Sequence, residues 1–154
     1  MRLYSFINAY LSSIQQGIQT AHLVHELFNK YKSPIGPASK MVREWSKNHK
    51  TIIVCNGGTS AELKNLYTFF TETSPERFKL PLASFREDVP SLNGALTCVG
   101  LVVPRCYYDV EFIAKNITSR YTSRYYQTFQ DHFYHPGTVQ YEFCKRLKSY
   151  NLAR

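Results

Sequence analysis

The apolar and polar side chains follow two different periods along the chain. Residues 2–10 (RLYSFINAY) alternate β-favouring and polar side chains, which predicts a strand. From Leu11 onwards, apolar residues recur every three or four positions, which predicts a helix capped by Ser12 or Ser13. The apolar stripe expected to face the core consists of Leu11, Ile14, Ile18, Ala21, Val24, Phe28 and Tyr31.

The next segments predict a helix, a strand and another helix. Residues 33–37 (SPIGP) form a loop by their Pro and Gly content, and residues 38–48 form a short helix. Residues 50–55 (KTIIVC) are a continuous β-branched run, which favours a central strand buried on both faces. Asn56-Gly57-Gly58 ends that strand, and a helix capped by Thr59 or Ser60 follows; Thr59 and Glu62 have the spacing of a capping box.

Two further strands complete the predicted sheet. Residues 80–85 and 94–103 are apolar runs separated by a polar turn over residues 86–93, and residues 109–116 have the pattern of a helix. This order predicts the α/β class, with a mixed four-stranded sheet flanked by helices. Residues 139–150 have apolar side chains at helical spacing and basic ones opposite, which predicts a basic amphipathic helix.

Charge divides the chain into two parts. The 154 residues include 19 Lys or Arg and 11 Asp or Glu, for a net charge of +8. Residues 117–154 hold six of the basic residues, two of the acidic ones and nine Tyr or Phe. We therefore predict a core domain over residues 1–116 and a C-terminal extension over residues 117–154. The extension packs its aromatic side chains on the core or on a second subunit, or uses them with its arginines to bind RNA.

Cysteine usage and hydropathy favour a cytoplasmic protein without metal or cofactor. The four cysteines include no C-x-x-C pair, and two of them lie in apolar strand-like runs, as is typical of buried reduced thiols. His132 and His135 lack a Cys at zinc-ligand spacing. The longest apolar runs are far shorter than the roughly 20 residues that span a bilayer, and the first residues do not resemble a signal peptide.

Four short motifs occur in an order that resembles the type 2 peptidyl-tRNA hydrolases of archaea and eukaryotes. They are Gly17–His22 (GIQTAH), Lys50–Val54 (KTIIV), Phe85–Asp88 (FRED) and Leu96–Gly100 (LTCVG). The resemblance covers about residues 3–113. The chain is also similar to small bacteriophage proteins of the same layout, which implies the host cytoplasm as its location.

The resemblance implies hydrolysis of the ester bond in peptidyl-tRNA or aminoacyl-tRNA. It assigns water activation to His22 and Asp88, with Glu87 as a competitor of Asp88, and assigns a hydrogen-bond donor role to Thr97. The catalytic Lys of the family falls on Gln15, so that cation is missing. The residues expected to contact the substrate are Gln15, Gln19, Lys50, Asn56, Gly57, Arg120, Arg124, Lys145 and Lys148.

Other interpretations of the same residues remain open. The polar stripe of Gln15, Gln19, His22 and Glu26 is also what the solvated flank of an amphipathic helix looks like. The missing Lys favours an inactive RNA- or nucleotide-binding protein, for example a viral protein that sequesters a host nucleotide signal. A protein–protein adaptor that uses the aromatic extension is a third interpretation. A homodimer, in which the extension packs on the second subunit, is a separate expectation.

Overall fold

The computed structural model describes residues 1–73, 80–108 and 139–153. Its centre is a four-stranded mixed sheet, which confirms the predicted α/β class. The sheet order is β2-β1-β4-β3; β1 is parallel to β2, and β4 is antiparallel to both β1 and β3. The strands are β1 (Arg2–Asn8), β2 (Ile52–Gly58), β3 (Leu82–Arg86) and β4 (Leu96–Val103).

Helices connect and follow these strands. None of the helices in the described ranges has both the length and the apolar composition needed to cross a membrane. The helices are α1 (Ser13–Lys30), α2 (Pro37–Glu44) with a π-helical segment (Trp45–His49), α3 (Ser60–Thr73), the short α4 (Val89–Leu92), a 3₁₀ turn (Arg105–Tyr107) and α5 (Val139–Lys148). The turn predicted over residues 86–93 therefore contains a short helix, which Asn93 ends in the left-handed conformation.

Strand β2 lies at the edge of the sheet, so the prediction of a central strand was wrong. Ile52 is 39% exposed, because β1 and β4 occupy the two central positions. The free side of β2 is covered by residues 151–153. The Asn56 N–H donates to the Asn151 carbonyl at 3.0 Å, and the Ala153 N–H donates to the Val54 carbonyl at 3.0 Å.

The buried face of α1 also differs from the predicted apolar stripe. Leu11, Val24 and Tyr31 of the predicted stripe are partly buried against the core, but Ile14, Ile18 and Phe28 are 79%, 49% and 43% exposed. The fully buried side chains of α1 are Gln19, Thr20, Leu23 and Leu27. Both buried polar residues have hydrogen-bond partners. The Thr20 hydroxyl donates to the Gln16 carbonyl of α1 at 2.9 Å and lies 3.1 Å from the Ser5 hydroxyl of β1. Burial of these polar groups therefore costs little.

Close approach of α1 to the sheet depends on Gly100 in β4. Leu23 of α1 is fully buried and packs in the space that a side chain at position 100 would fill. A Cβ atom at that position would also lie 2.6 Å from the Tyr4 carbonyl oxygen. On the opposite face of the sheet, the Phe6 ring contacts the rings of Phe70 and Tyr150 at centroid distances of 5.5 and 4.8 Å.

The chain forms two compact units. One unit comprises residues 1–103 and the segment that begins at Tyr150, and the other comprises residues 104–149. Within the second unit, the Tyr107 ring meets the Phe143 ring edge-on at 5.2 Å, and α5 matches the predicted basic helix. The predicted domain boundary at residue 116 and the predicted helix over residues 109–116 lie outside the described residues.

Two glycine substitutions test this packing. Gly100→Ala should lower the free energy of unfolding by about 1–3 kcal/mol, because the added methyl group overpacks the contact of Leu23 with β4. Gly17→Ala lies in α1 with no atom near the added methyl group, so it should raise the same quantity by about 0.5–1 kcal/mol. Urea denaturation measures both, and an unchanged Gly100→Ala variant would contradict the close approach of α1 to β4.

Candidate functional site

Polar residues collect at one end of the sheet. Strands β1, β2 and β3 run in the same direction and β4 runs in the opposite one, so three strands end where β4 begins. The residues at this end include Asn8, Asn56, Glu87 and Thr97. Ligands of open α/β sheets commonly bind beyond the carboxyl ends of the strands, which makes this end the candidate site.

A β-bulge in β4 turns Thr97 towards α1. Phe85 pairs with Cys98 while the next residue, Arg86, pairs with Leu96, which leaves Thr97 as the extra residue. Cys98 faces α1, where its sulfur lies 3.4 Å from the Ser5 hydroxyl. The bulge brings Thr97 to the same face as Cys98, and its hydroxyl donates to Gln19 Oε1 at 2.8 Å.

Glu87, Gln19 and Thr97 form a hydrogen-bonded chain. Gln19 Nε2 donates to Glu87 Oε1, and Gln19 Oε1 accepts from the Thr97 hydroxyl. Gln19 and Thr97 are 4% and 1% exposed, whereas Glu87 is partly exposed. Only the carboxylate end of this chain therefore reaches solvent.

His22 lies beside this chain. Its ring stacks on Phe85 with centroids 4.4 Å apart and planes 8° from parallel. The Phe85 carbonyl is in turn 3.5 Å from the Thr97 hydroxyl. His22 is exposed and follows Gln19 by one turn of α1. The structure thus brings together three of the predicted residues, namely Gln19, His22 and Thr97.

Of the two competing acids, Glu87 is the one bonded to this group. Asp88 Oδ1 instead accepts from the Ser91 hydroxyl at 2.9 Å, and the Asp88 carbonyl accepts backbone N–H groups of α4. Asp88 is exposed and begins the short helix α4. Its side chain therefore organises the turn between β3 and β4.

Gln15 stands at the position of the family's catalytic Lys, and Lys50 is a predicted cationic contact of the substrate. Each has a different place in the structure. Gln15 completes the capping box of α1, where its Oε1 accepts from the Ser12 N–H at 3.0 Å. Lys50 is exposed and left-handed at φ 57°, just before β2. Asn56 lies six residues further on, so Lys50 is about 20 Å away, at the opposite end of the strand. Neither residue supplies a positive charge to the Glu87–Gln19–Thr97 chain.

The N–H groups at the Asn56–Gly58 turn and at the start of α3 donate to side chains of the protein itself. Asn56 Oδ1 accepts from the Gly58 N–H at 2.9 Å, and the Glu62 carboxylate accepts from the Thr59 N–H at 2.7 Å. The backbone bond from Thr59, followed by its hydroxyl bond, lowers the pKa of Glu62. The amino end of α3 thus already carries a negative charge, which would repel a phosphate.

Burial makes the thiols of Cys55 in β2 and Cys98 in β4 poor nucleophiles. Burial raises the pKa of Cys55 to about 11 and that of Cys98 to about 12, so both remain protonated thiols at neutral pH. Within the described ranges, no group of three His, Cys, Asp or Glu side chains could hold a metal ion.

Lys145 and Lys148 are exposed on α5, and Arg120 and Arg124 lie outside the described residues.

Sequence reasoning missed the contribution of Phe85, whose ring supports His22 and whose carbonyl faces Thr97. Its aromatic character in a strand next to a charged turn was the available signal. The bulge that turns Thr97 has no comparable signal in the sequence, because a bulge depends on the pairing of two strands.

The chain matches no protein-family model and no curated protein.

The bond between Gln19 and Thr97 can be tested by unfolding. Thr97→Val keeps the shape of the side chain but leaves Gln19 Oε1 buried without its donor, so it should lower the free energy of unfolding by about 1–3 kcal/mol. Thr97→Ser keeps the hydroxyl and is the control, with a smaller expected loss. Equal losses in the two variants would show that the hydrogen bond contributes nothing.

The cap of α3 can be tested by pH titration. The Glu62 pKa should lie below its ordinary value, and Thr59→Val should raise it by removing the hydroxyl bond while keeping the backbone bond. A lowered pKa contributes stability above the unfolded-state pKa, and this contribution is lost as the pH falls through the folded-state pKa. NMR titration of the Glu62 carboxyl carbon measures the pKa, and an ordinary value in the parent chain would contradict the cap.

Proposed function

We propose that this protein hydrolyses the ester bond of peptidyl-tRNA or aminoacyl-tRNA, on a fold of the type 2 peptidyl-tRNA hydrolase kind. The observation that carries the proposal is the Glu87–Gln19–Thr97 chain beside the His22–Phe85 stack. The motif order supports it as well. The GIQTAH motif lies in α1, and the FRED and LTCVG motifs lie at the facing ends of β3 and β4.

Glu87 is the group best situated to activate water. One carboxylate oxygen accepts from Gln19, and the residue is partly exposed, so its other oxygen is available to a water molecule. The water oxygen attacks the ester carbonyl carbon while Glu87 takes one of the water protons. Gln19 holds the carboxylate in place for this step.

His22 completes the reaction at the leaving group. As the carbon–oxygen bond to the ribose breaks, His22 in its imidazolium form donates a proton to the ribose oxygen, which leaves a free hydroxyl. The proton that Glu87 took from the water molecule then returns through solvent to the imidazole. Stacking on Phe85 fixes the plane of the ring from which this proton is donated. Thr97 is buried and its single proton is directed to Gln19, so it acts as a positioning residue.

The rate should be low compared with that of an enzyme that retains a catalytic Lys. Gln15 serves the cap of α1, and loss of one preorganised oxyanion donor typically costs about 10²–10³ in rate.

Release of the acyl group from N-acetyl-aminoacyl-tRNA is the test. Glu87→Gln should reduce the rate by about 10²-fold or more, because an amide cannot accept the water proton. Asp88→Asn makes the same change one residue away, where the side chain bonds Ser91, and should retain most of the activity. Release at the uncatalysed rate by the parent chain, or equal rates for parent and Glu87→Gln, would overturn the proposal.

A second candidate is a non-catalytic protein that binds RNA or a nucleotide. It is favoured by Gln15, whose amide is used by the cap where a catalytic cation would be needed. Binding of tRNA through phosphates should weaken steeply as salt rises, whereas a small ligand in a pocket should show little salt dependence. Tight tRNA binding with no acyl release would select this candidate over the hydrolase.

A further inference from the structure

Two asparagines of this chain, Asn56 and Asn93, are each followed by a glycine. In an Asn-Gly pair the glycine nitrogen can attack the side-chain amide of the asparagine, because glycine has no side chain to obstruct the approach. The two pairs lie in different surroundings. Asn56 belongs to β2, whereas Asn93 lies in the turn between β3 and β4. Any difference in their reactivity therefore comes from the fold rather than from the pair itself.

The fold holds Asn56 away from this reaction. The Asn56 N–H donates to the Asn151 carbonyl at 3.0 Å, and Asn56 Oδ1 accepts from the Gly58 N–H at 2.9 Å. Gly57 is buried, and Leu63 occupies the space beside its Cα. The Gly57 nitrogen can therefore reach the Asn56 side chain only if this end of β2 leaves the sheet.

The turn leaves Asn93 open to the same reaction. Asn93 is exposed, it ends α4 in the left-handed conformation at φ 52°, and no described residue bonds its side chain. None of the side chains of α4 is buried, so little packing opposes local opening of the turn. The Gly94 N–H lies 3.5 Å from the Asp88 carbonyl, which is longer than an ordinary N–H···O bond. Both reacting groups are therefore weakly held.

We propose that Asn93 is a site of spontaneous covalent modification through a succinimide. The Gly94 nitrogen attacks Asn93 Cγ, and the new carbon–nitrogen bond closes the ring. The side-chain nitrogen leaves with the Gly94 proton as ammonia. Water then opens the ring at either of its carbonyls, which gives aspartate or isoaspartate. In isoaspartate the main chain runs through the side-chain carbons and is longer by a methylene group.

The longer main chain lies beside Glu87, so its effect on activity rests on the proposed function. The Glu87 N–H donates to the Ala95 carbonyl at 3.1 Å, across the two ends of the turn. A methylene group inserted at Asn93 changes the spacing between these partners. The Glu87 carboxylate is then displaced from the Gln19 amide, and a hydrolase that depends on it loses activity as the protein ages.

Ageing of the whole chain in neutral buffer tests the inference without any substrate. Peptide mapping by mass spectrometry should show that Asn93 is converted at least about tenfold faster than Asn56, because β2 must open before its pair can react. In urea, where the fold restrains neither pair, the two should react at similar rates. Equal rates in the folded chain, or faster conversion of Asn56, would overturn the inference.

An isoaspartyl methyltransferase supplies a second, specific readout. It should label the aged parent chain but not Asn93→Gly, which is the matched control because glycine also adopts the left-handed conformation and has no amide to lose. Labelling of the parent chain no stronger than that of Asn93→Gly would contradict the modification.

The link to Glu87 is tested by NMR of the Gln19 side-chain amide. The isoaspartyl form should shift these signals, whereas Asn93→Asp, which adds the same charge without the methylene group, should leave them nearly unchanged. Equal signals in the isoaspartyl and parent forms would overturn the displacement of Glu87. A fresh parent chain that releases no acyl groups would overturn the hydrolase alone, since the conversion of Asn93 needs no activity.

Discussion

The hydrogen bond between Gln19 and Thr97 is the contact on which the arrangement of the site depends. It joins the middle of α1 to the bulged start of β4, in a region where both side chains are almost fully buried. Because a buried amide without partners costs about 1–3 kcal/mol, the helix can settle on this face of the sheet only with the bond made. Every other member of the group is held relative to it: Glu87 bonds the other end of the same amide, and His22 is one helical turn away.

The strands could be predicted well from the sequence, and their positions in the sheet could not. Alternation and β-branched runs correctly indicate β1, β3 and β4 within two residues of their observed ends. The run at residues 50–55 looks central because its β-branched residues are consecutive, yet β2 is an edge strand whose free side is covered by residues 151–153. The composition of a strand indicates how far it is buried. It does not indicate whether a neighbouring strand or a segment distant in the sequence buries it.

The site shows where single-sequence reasoning fails and why. The apolar stripe of α1 was assigned to the core by its periodicity, but the buried face contains Gln19 and Thr20. Thr97 of the sheet donates to Gln19, and the Thr20 hydroxyl donates to the Gln16 carbonyl of α1 itself. Thr97 is a polar residue within an apolar run, and a buried hydroxyl needs a hydrogen-bond partner, which Gln19 Oε1 provides. The choice between Glu87 and Asp88 could not be made from the sequence, because neighbouring residues at the end of a strand point in different directions and a bulge shifts their register by one.

Residues 151–153 have a consequence beyond covering a strand. An edge strand exposes a row of unpaired N–H and C=O groups, which can pair with an edge of another chain and so begin aggregation. In β2 the N–H of Asn56 and the carbonyl of Val54 are bonded within the molecule instead. A chain shortened by these few residues would keep all four strands of the sheet. It would, however, present an apolar, β-branched edge to other copies. Residues 151–153 take no part in the core, yet they decide whether the edge of β2 can pair with another chain.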